Sequence, residues 1–556
     1  MFFSCLPKLK LKRSKPKPAN IFGQDPKSKK RAAWSSSSPS LVEPEQDEKS
    51  TPASQPLGED WSKFLQEYPE YSLTSKLDDL RKTDFTRLDK SGETYVDYMG
   101  GSLYPESIVE RHTSFLKEAV LGNTHSINNS SRASSKHADE AREAVLSFFD
   151  APSDVYTVVF TANASGALKL VGESFPFKQG SAYVLSIDSH NSVNGIREFA
   201  RAKGAHTAYI PATSTGGFEL DQAKSTLDKY RSSTSSPCLF ALTGQSNISN
   251  WKAPLASISQ HASSLGYNVL VDAAALAANS TISLSKNPYV DAMAISFYKM
   301  FGFPTGVGAL VIRKEFLSKL KRPWFAGGTV DFVKAPGEGM IWAEDLHEQF
   351  ADGTINYLSL PAITYGLQFL SGYLPLLPLR LSCLLHHLTD SLLQLRHPNG
   401  NAVVRILSSI PQDRVRSVGQ QSDVGSLVSL IFLDNMYIQP LGQILQNSFI
   451  EHAASKRNIS LRTGCVCNPG AAHAMLGIPS QIEAAFASLS ASGVQPTRAR
   501  VEGILGREIG VVRISLGLAS NYEDVMKVVR FAEGIADAPT RERWMGEWRR
   551  AEDAHV

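Results

Sequence analysis

Residues 291–313 read D-A-M-A-I-S-F-Y-K-M-F-G-F-P-T-G-V-G-A-L-V-I-R, and the single lysine at their centre, Lys299, decides how the rest of the chain is read. Apolar Met293, Ala294 and Ile295 lead into Ser296-Phe297-Tyr298-Lys299, a Gly/Pro-rich turn follows, and a β-branched run resumes over 309–312. The pattern predicts strand, lysine-bearing loop, strand. An ammonium is costly to place between buried strands, so this lysine either lies exposed at the solvent edge or does chemistry that tolerates a lowered pKa, Schiff-base formation included.

Outward from this stretch, helical periodicity and apolar runs alternate. A helix is predicted over 137–149 (Ala141, Val145, Leu146, Phe149), a strand over 156–161, a small-residue turn over 162–166 and a helix over 167–174. Further apolar runs fall at 182–187, 238–242, 269–271 and 292–295, with a helical segment at 254–265. Continuous rather than alternating hydrophobicity points to strands buried on both faces, and strand–helix alternation to a mostly parallel sheet. The fold class is α/β, with a major domain over 58–370 that includes an N-terminal segment. After a turn-rich zone at 324–361, a long helix near 378–396 opens a smaller α+β domain over 371–540. It has strands at 427–433 and 511–516 and helices at 441–456 and 522–535. Residues 480–507 are small and polar and read as a surface excursion, 541–556 as a tail, and no internal repeat is evident.

The whole chain is 556 residues long, 42% hydrophobic and 20% charged, which describes a globular protein with a large core. A net charge of +3 gives no argument for nucleic acid as a partner. Residues 1–57 join a basic block, a serine run and an acidic patch without apolar periodicity, and read as a disordered tail. The basic block is lysine- and proline-rich rather than an Arg/Ser amphipathic helix, so a transit peptide is not favoured. The apolar stretch 374–395 carries Arg380, His386, His387 and Asp390 and reads as a packed helix rather than a membrane span. Five cysteines, scattered apart from Cys465 and Cys467, do not make a secreted disulfide framework, so the expected location is cytoplasmic.

In open parallel sheets ligands sit at the carboxyl ends of the strands, and polar residues cluster there. Asn163-Ala164-Ser165-Gly166 follows one strand at a helix start, able to cap the helix or to hold a phosphate. Asp188-Ser189-His190-Asn191 follows the next, where His190 is either structural or stacked on a planar ring. Asp272 ends a third, costly to bury without a cation, and Ser296 to Lys299 end a fourth. An aldehyde-bearing, phosphorylated pyridine needs a lysine for the imine, a carboxylate at the ring nitrogen, a stacking side chain and a phosphate cup. The set is read as a pyridoxal 5'-phosphate site.

The order of these elements, with G-N-T-H-S (122–126), F-T-A-N-A-S-G-A-L-K-L-V-G-E (160–173), D-S-H-N-S-V-N-G-I-R-E (188–198), Q-S-N (245–247), A-D-G-T-I-N-Y-L (351–358) and L-R-T-G-C-V-C-N-P-G (461–470), resembles the cysteine-desulfurase-like domain of molybdenum cofactor sulfurases. These are class V aminotransferase-type enzymes of pyridoxal-phosphate fold type I, and the likeness covers roughly 70–535. The resemblance implies that Lys299 bonds the cofactor, Asp272 pairs with its ring nitrogen and His190 stacks on the ring. It implies that Ala164, Ser165, Ser296 and Tyr298 surround the phosphate, that Asn247 lies near the ring, and that Thr354 reaches the phosphate of a partner subunit in a homodimer. Arg513, in V-R-I-S-L-G-L, would clamp the substrate carboxylate, and Cys467 would be the persulfide-forming nucleophile.

The residues speak for Cys467 independently, since its loop is Gly/Pro-rich with Arg462 near, and a neighbouring cation favours thiolate. A zinc site from Cys465, Cys467 and His473 lacks a fourth ligand, so no metal is expected. The sequence departs from the family at Ala472, where a third cysteine is common, and at Asn250, where glycine is expected. Ala275 stands where many desulfurases carry glutamine, a change the sulfurase branch shares. The family commonly continues into a cofactor-holding C-terminal domain, which this sequence, ending at Val556, is expected to lack.

The resulting expectation is an L-cysteine desulfurase-type sulfurtransferase that forms a persulfide on Cys467 and releases alanine. Its expected sulfur acceptor is molybdenum cofactor on another protein, with no nucleic-acid or membrane partner. The alternatives are a class V carbon–sulfur lyase, amino-acid lyase or aminotransferase that does not use Cys467, or a non-catalytic scaffold.

Overall fold

The computed structural model describes residues 57–231, 236–435 and 444–553. The basic, serine-rich segment before residue 57 lies outside the described residues, and residues 58–556 form one compact unit. Its centre is a seven-stranded sheet of β1 (Tyr156–Thr161), β2 (Ala182–Ser186), β3 (His206–Ile210), β4 (Leu239–Thr243), β5 (Asn268–Asp272), β6 (Ala292–Ser296) and β7 (Gly308–Arg313). The order across the sheet is β1-β7-β6-β5-β4-β2-β3. Neighbours are parallel except β7, which runs antiparallel to both β1 and β6.

The strands read as continuous apolar runs because helices cover both faces of the sheet. Val158, Val184, Phe240, Val271, Met293 and Val311 point into one core. Their immediate neighbours Val159, Leu185, Ala241, Leu270, Ala294 and Leu310 point into the other. Successive side chains alternate across a strand, so a strand buried on two sides needs an apolar residue at every position. The first core is closed by α1 (Asn129–Phe148) and the long α4 (Leu377–Gln394), the second by α2 (Ala164–Ser174). α1 begins eight residues earlier than the periodicity placed it, because Asn128 caps it by accepting the Ser131 N–H.

A second, antiparallel sheet has the order β8-β9-β11-β10, with β8 (Val404–Ile406), β9 (Leu427–Phe432), β10 (Arg462–Gly464) and β11 (Val511–Ser515). The helix expected over 441–456 is seen as Asn447–Ser455, and residues 441–443 lie outside the described residues. The excursion at 480–507 carries two helices, Pro479–Ala491 and Arg498–Leu505, over a small core of Ile478, Ala485, Val501 and Ile509. Residues 541–553 lie in helix Ala538–Asp553, where Trp544 is buried, stacked 5.6 Å from Phe531 and covered by the Arg457 guanidinium at 3.5 Å. No helix among the described residues is long and apolar enough to cross a membrane.

Candidate active site

The parallel strands β2, β4, β5 and β6 deliver their carboxyl ends to one edge of the sheet, and register aligns what they carry. Thr243 pairs with Asp272 and Asp272 with Ala294, while Ser296 and Thr161 flank Gly308 from either side. Lys299 does not sit in an open loop. It lies on α3 (Phe297–Phe301), a short helix whose Phe297, Met300 and Phe301 are buried in the core while the lysine turns toward the cleft. Fully burying such apolar side chains stabilises by about 1.5–3 kcal/mol each, enough to fix the lysine's direction. Gly302 ends the helix at φ 79°, where a Cβ would lie 2.4 Å from the Tyr104 amide nitrogen. Only glycine fits this stop.

One cleft brings together Ala164, Ser165, His190, Asn247, Asp272, Ser296, Tyr298 and Lys299. At its first end, the Ser296 hydroxyl accepts the Ala164 N–H at 2.8 Å, and the hydroxyls of Ser165 and Ser192 meet at 2.6 Å beside the start of α2. Hydroxyls and N–H groups gathered at a helix start suit an anion. Deeper in the cleft, Asp272 accepts the Ala274 N–H at 3.1 Å. His190 Nδ1 accepts the Ser192 N–H at 3.1 Å, which leaves the proton of the neutral ring on Nε2. Burial pushes the His190 pKa down, with Lys299 adding to the effect and Asp272 opposing it. Burial likewise lowers the Lys299 pKa, the Asp272 carboxylate opposing and Arg513 and Arg462 adding to it.

The two arginines adjoin this cleft. Arg513 is 1% exposed; its Nη1 donates to the Asn247 carbonyl at 3.0 Å and its Nη2 to Asp97 at 2.5 Å, while its Nε has no partner. Arg462 meets the other Asp97 oxygen at 3.1 Å. Cys467 is exposed, and its carbonyl accepts the Asn191 N–H at 2.8 Å, next to His190. Cys465 is half-buried, and burial pushes its thiol pKa up. Thr354 is not in this cleft. It is exposed and its hydroxyl accepts from Asn123 at 3.1 Å, so two of the motifs, 122–126 and 351–358, meet each other, and Thr354 lines a separate cavity with Thr161, Ala162 and Gly166. No group of three or more His, Cys, Asp or Glu among the described residues is placed to hold a metal.

Sequence reasoning missed Asp97, Ser192, Thr243 and Gln245. Gln245 is 2% exposed and lines the cleft, yet neither its amide oxygen nor its nitrogen has a partner. A buried amide left unpaired costs about 1–3 kcal/mol, so this group is built to meet a ligand. The donor set fits pyridoxal phosphate: hydroxyls at a helix start for the phosphate, Asp272 and His190 for the ring, Lys299 for the aldehyde, and unpaired Gln245 and Arg513 donors beside them.

Molybdenum cofactor sulfurase of Solanum lycopersicum is 33% identical over 84% of this chain and 59% of its own length. That of Homo sapiens is 33% identical over 85% of this chain and 52% of its own. The resemblance read from the motifs is borne out, and the chain spans a little over half the length of these relatives. Among solved structures, the cysteine desulfurase of Thermococcus onnurineus NA1 superposes with a TM-score of 0.62 at 21% identity, covering 83% of this chain and 98% of that one. The cysteine desulfurase CsdA of Escherichia coli gives 0.62 at 19%, with the same coverage. These two establish the fold, an α/β architecture of the pyridoxal-phosphate fold type I class. The family described as Aminotransferase class-V matches residues 94–375, half of the chain, and the protein belongs to that family.

Proposed function

We propose that the protein is a pyridoxal-phosphate-dependent sulfurtransferase that takes sulfur from L-cysteine onto Cys467 and releases alanine. The observation that supports this is the hydrogen bond from the Asn191 N–H to the Cys467 carbonyl, which ties the segment of an exposed cysteine to the residue next to His190, itself part of the cleft that holds Asp272 and Lys299. Pyridoxal phosphate supplies an imine-forming aldehyde and a ring that draws electrons from the substrate carbons.

The protein's own groups do the rest. Burial lowers the Lys299 pKa, which favours the uncharged amine that imine exchange requires. Asp272 would hold the ring nitrogen, and His190, whose pKa burial lowers, would stack on the ring and assist proton transfer. Ser165, Ser192, Ser296 and Tyr298 would hold the phosphate. The free Nε of Arg513 receives the substrate carboxylate, with Arg462 at the entrance. Cys467 attacks the substrate sulfur. The carbon–sulfur bond breaks, a sulfur–sulfur bond forms, and the thiol proton passes to the departing carbon skeleton, so cysteine plus thiol gives alanine plus persulfide.

The names of the relatives support molybdenum cofactor as the sulfur acceptor, and our reading is that another protein carries it. A cytoplasmic homodimer completes the reading. The dimer is supported by exposed Val120, Ile127, Trp324 and Leu358, and in it the Thr354 hydroxyl would serve the partner's phosphate.

The test is a borohydride reduction of the purified protein. The reading expects a yellow chromophore that bleaches and leaves a pyridoxyl adduct on Lys299, and sulfide release from cysteine that falls in Cys467→Ala. A colourless protein, or a Cys467→Ala variant with unchanged sulfide release, would exclude it.

A further inference from the structure

Cys467 stands on backbone that resists being there. Val466 and Cys467 adopt left-handed φ values of 42° and 61°, a region that side chains avoid and β-branched ones most of all. Two such residues in succession persist only where their surroundings over-determine them.

The residue that follows does this with three side-chain hydrogen bonds, using both amide donors and the amide oxygen. Asn468 Oδ1 accepts the Ala471 N–H at 3.3 Å, capping helix Pro469–Leu476, and Nδ2 donates to Asp188 at 2.6 Å and to Asn247 Oδ1 at 3.2 Å. Asn247 passes the restraint on, its Nδ2 donating to the Val466 carbonyl at 2.6 Å. Gly470 closes the contact: a Cβ there would lie 2.3 Å from the Ile187 carbonyl oxygen, so the cysteine segment runs directly against the chain that carries Asp188 and His190.

Asp188 is the hub of this lattice. It is 2% exposed and accepts from Ser246 and Ser249 hydroxyls at 2.6 Å each, from the Gly217 N–H at 2.8 Å and from Asn468. All four donors are neutral. A buried carboxylate held this way survives only if each donor is aimed at it, so it fixes the loops that bring them.

We propose that Asp188, acting through Asn468, is a positioning residue for sulfur transfer. It holds Cys467 still at the mouth of the cleft, so the thiol receives sulfur where it stands and the acceptor must come to the cleft. The cysteine does not swing out to deliver it. This rests on Cys467 being the sulfur-receiving thiol.

The test uses the full-length protein with Asn468→Ala, which removes cap and clamp, and Asn468→Ser, which keeps a helix cap but neither amide donor. Cofactor absorbance should match the parent in both. Losing two hydrogen bonds, one of them to a charged group, should speed amide exchange across 464–470 by about tenfold or more and lower the Cys467 persulfide formed from L-cysteine by a similar factor. In a Cys467→Ala background, either substitution should leave the residual sulfide release unchanged. Parent-like exchange and persulfide in the Asn468 variants would overturn the clamp alone. Cofactor loading that falls in step with persulfide would also overturn it, because the network would then support only the cofactor site. A Cys467→Ala protein with the parent's sulfide release would overturn both this inference and the reading on which it rests.

Discussion

Asp97→Asn should weaken the fold and change how it responds to carboxylates. The Asp97 carboxylate lies between Arg513, whose side chain is 1% exposed, and Arg462, whose side chain is 47% exposed. Burial lowers the Arg513 pKa and Asp97 is the main opposing influence, so the carboxylate is what makes the buried guanidinium tolerable. Removing one partner of a buried pair costs about 3–5 kcal/mol. Asparagine keeps one acceptor oxygen toward Arg513 and Arg462 is free to turn to solvent, so the loss should be nearer about 2 kcal/mol. For roughly 500 ordered residues this is a fall in Tm of about 2 °C. The same substitution removes the negative charge that competes with a substrate carboxylate for Arg513, so L-alanine should raise the variant's Tm more than the parent's. Thermal unfolding with and without L-alanine measures both effects. A variant with the parent's Tm and the parent's response would refute the view that Asp97 balances this arginine pair.

Asp272→Ala should lower cofactor occupancy, read as absorbance per protein, while leaving the secondary structure intact by circular dichroism. Arg380→Met should be destabilising, by about 2–3 kcal/mol in denaturant unfolding, because Arg380 is fully buried and its loss leaves buried Thr74 and Tyr71 hydroxyls without their donor, while Asp78 keeps contact with solvent. His347→Gln should flatten part of the acid limb of the stability profile. Burial and the nearby Arg142 push the His347 pKa from 6.5 to about 4. The unfolded chain therefore takes up that proton first, and stability present above pH 6.5 is lost as pH falls toward 4. Denaturation midpoints across that window in parent and variant check it.

Strands β1, β2, β4, β5, β6 and β7 were legible because both faces of each are buried, which leaves an unbroken apolar run in the sequence. β3 escaped notice because one of its faces is only partly covered, so that His206, Thr207 and Tyr209 are partly exposed between buried Ala208 and Ile210. That β7 inserts antiparallel between β1 and β6 could not be read, since its run looks like the others. Helix Ala538–Asp553 hid behind its charges, with Trp544 and Arg541 its only buried residues. The hairpin at 479–505 hid because only four buried residues hold it.

The site divides the same way. Residues at strand ends were found because their positions follow from the topology. Asp97 was not, because it meets Arg513 across 416 residues and nothing local marks it. Gln245 lay inside a motif that was quoted, but its significance is an unpaired amide, which is visible only in three dimensions. The left-handed backbone at Val466 and Cys467 likewise has no signal in V-C-N-P-G, since neither residue is the glycine that such a conformation usually requires.

The most direct measurement of the central claim is to incubate the protein, loaded with pyridoxal phosphate, with L-cysteine, trap thiols by alkylation and map the peptides by mass spectrometry while assaying alanine. The account predicts one alanine for each sulfur atom added to Cys467, with Cys465 unmodified. Alanine formed with no sulfur on Cys467, or sulfide and pyruvate formed in place of alanine, would contradict it.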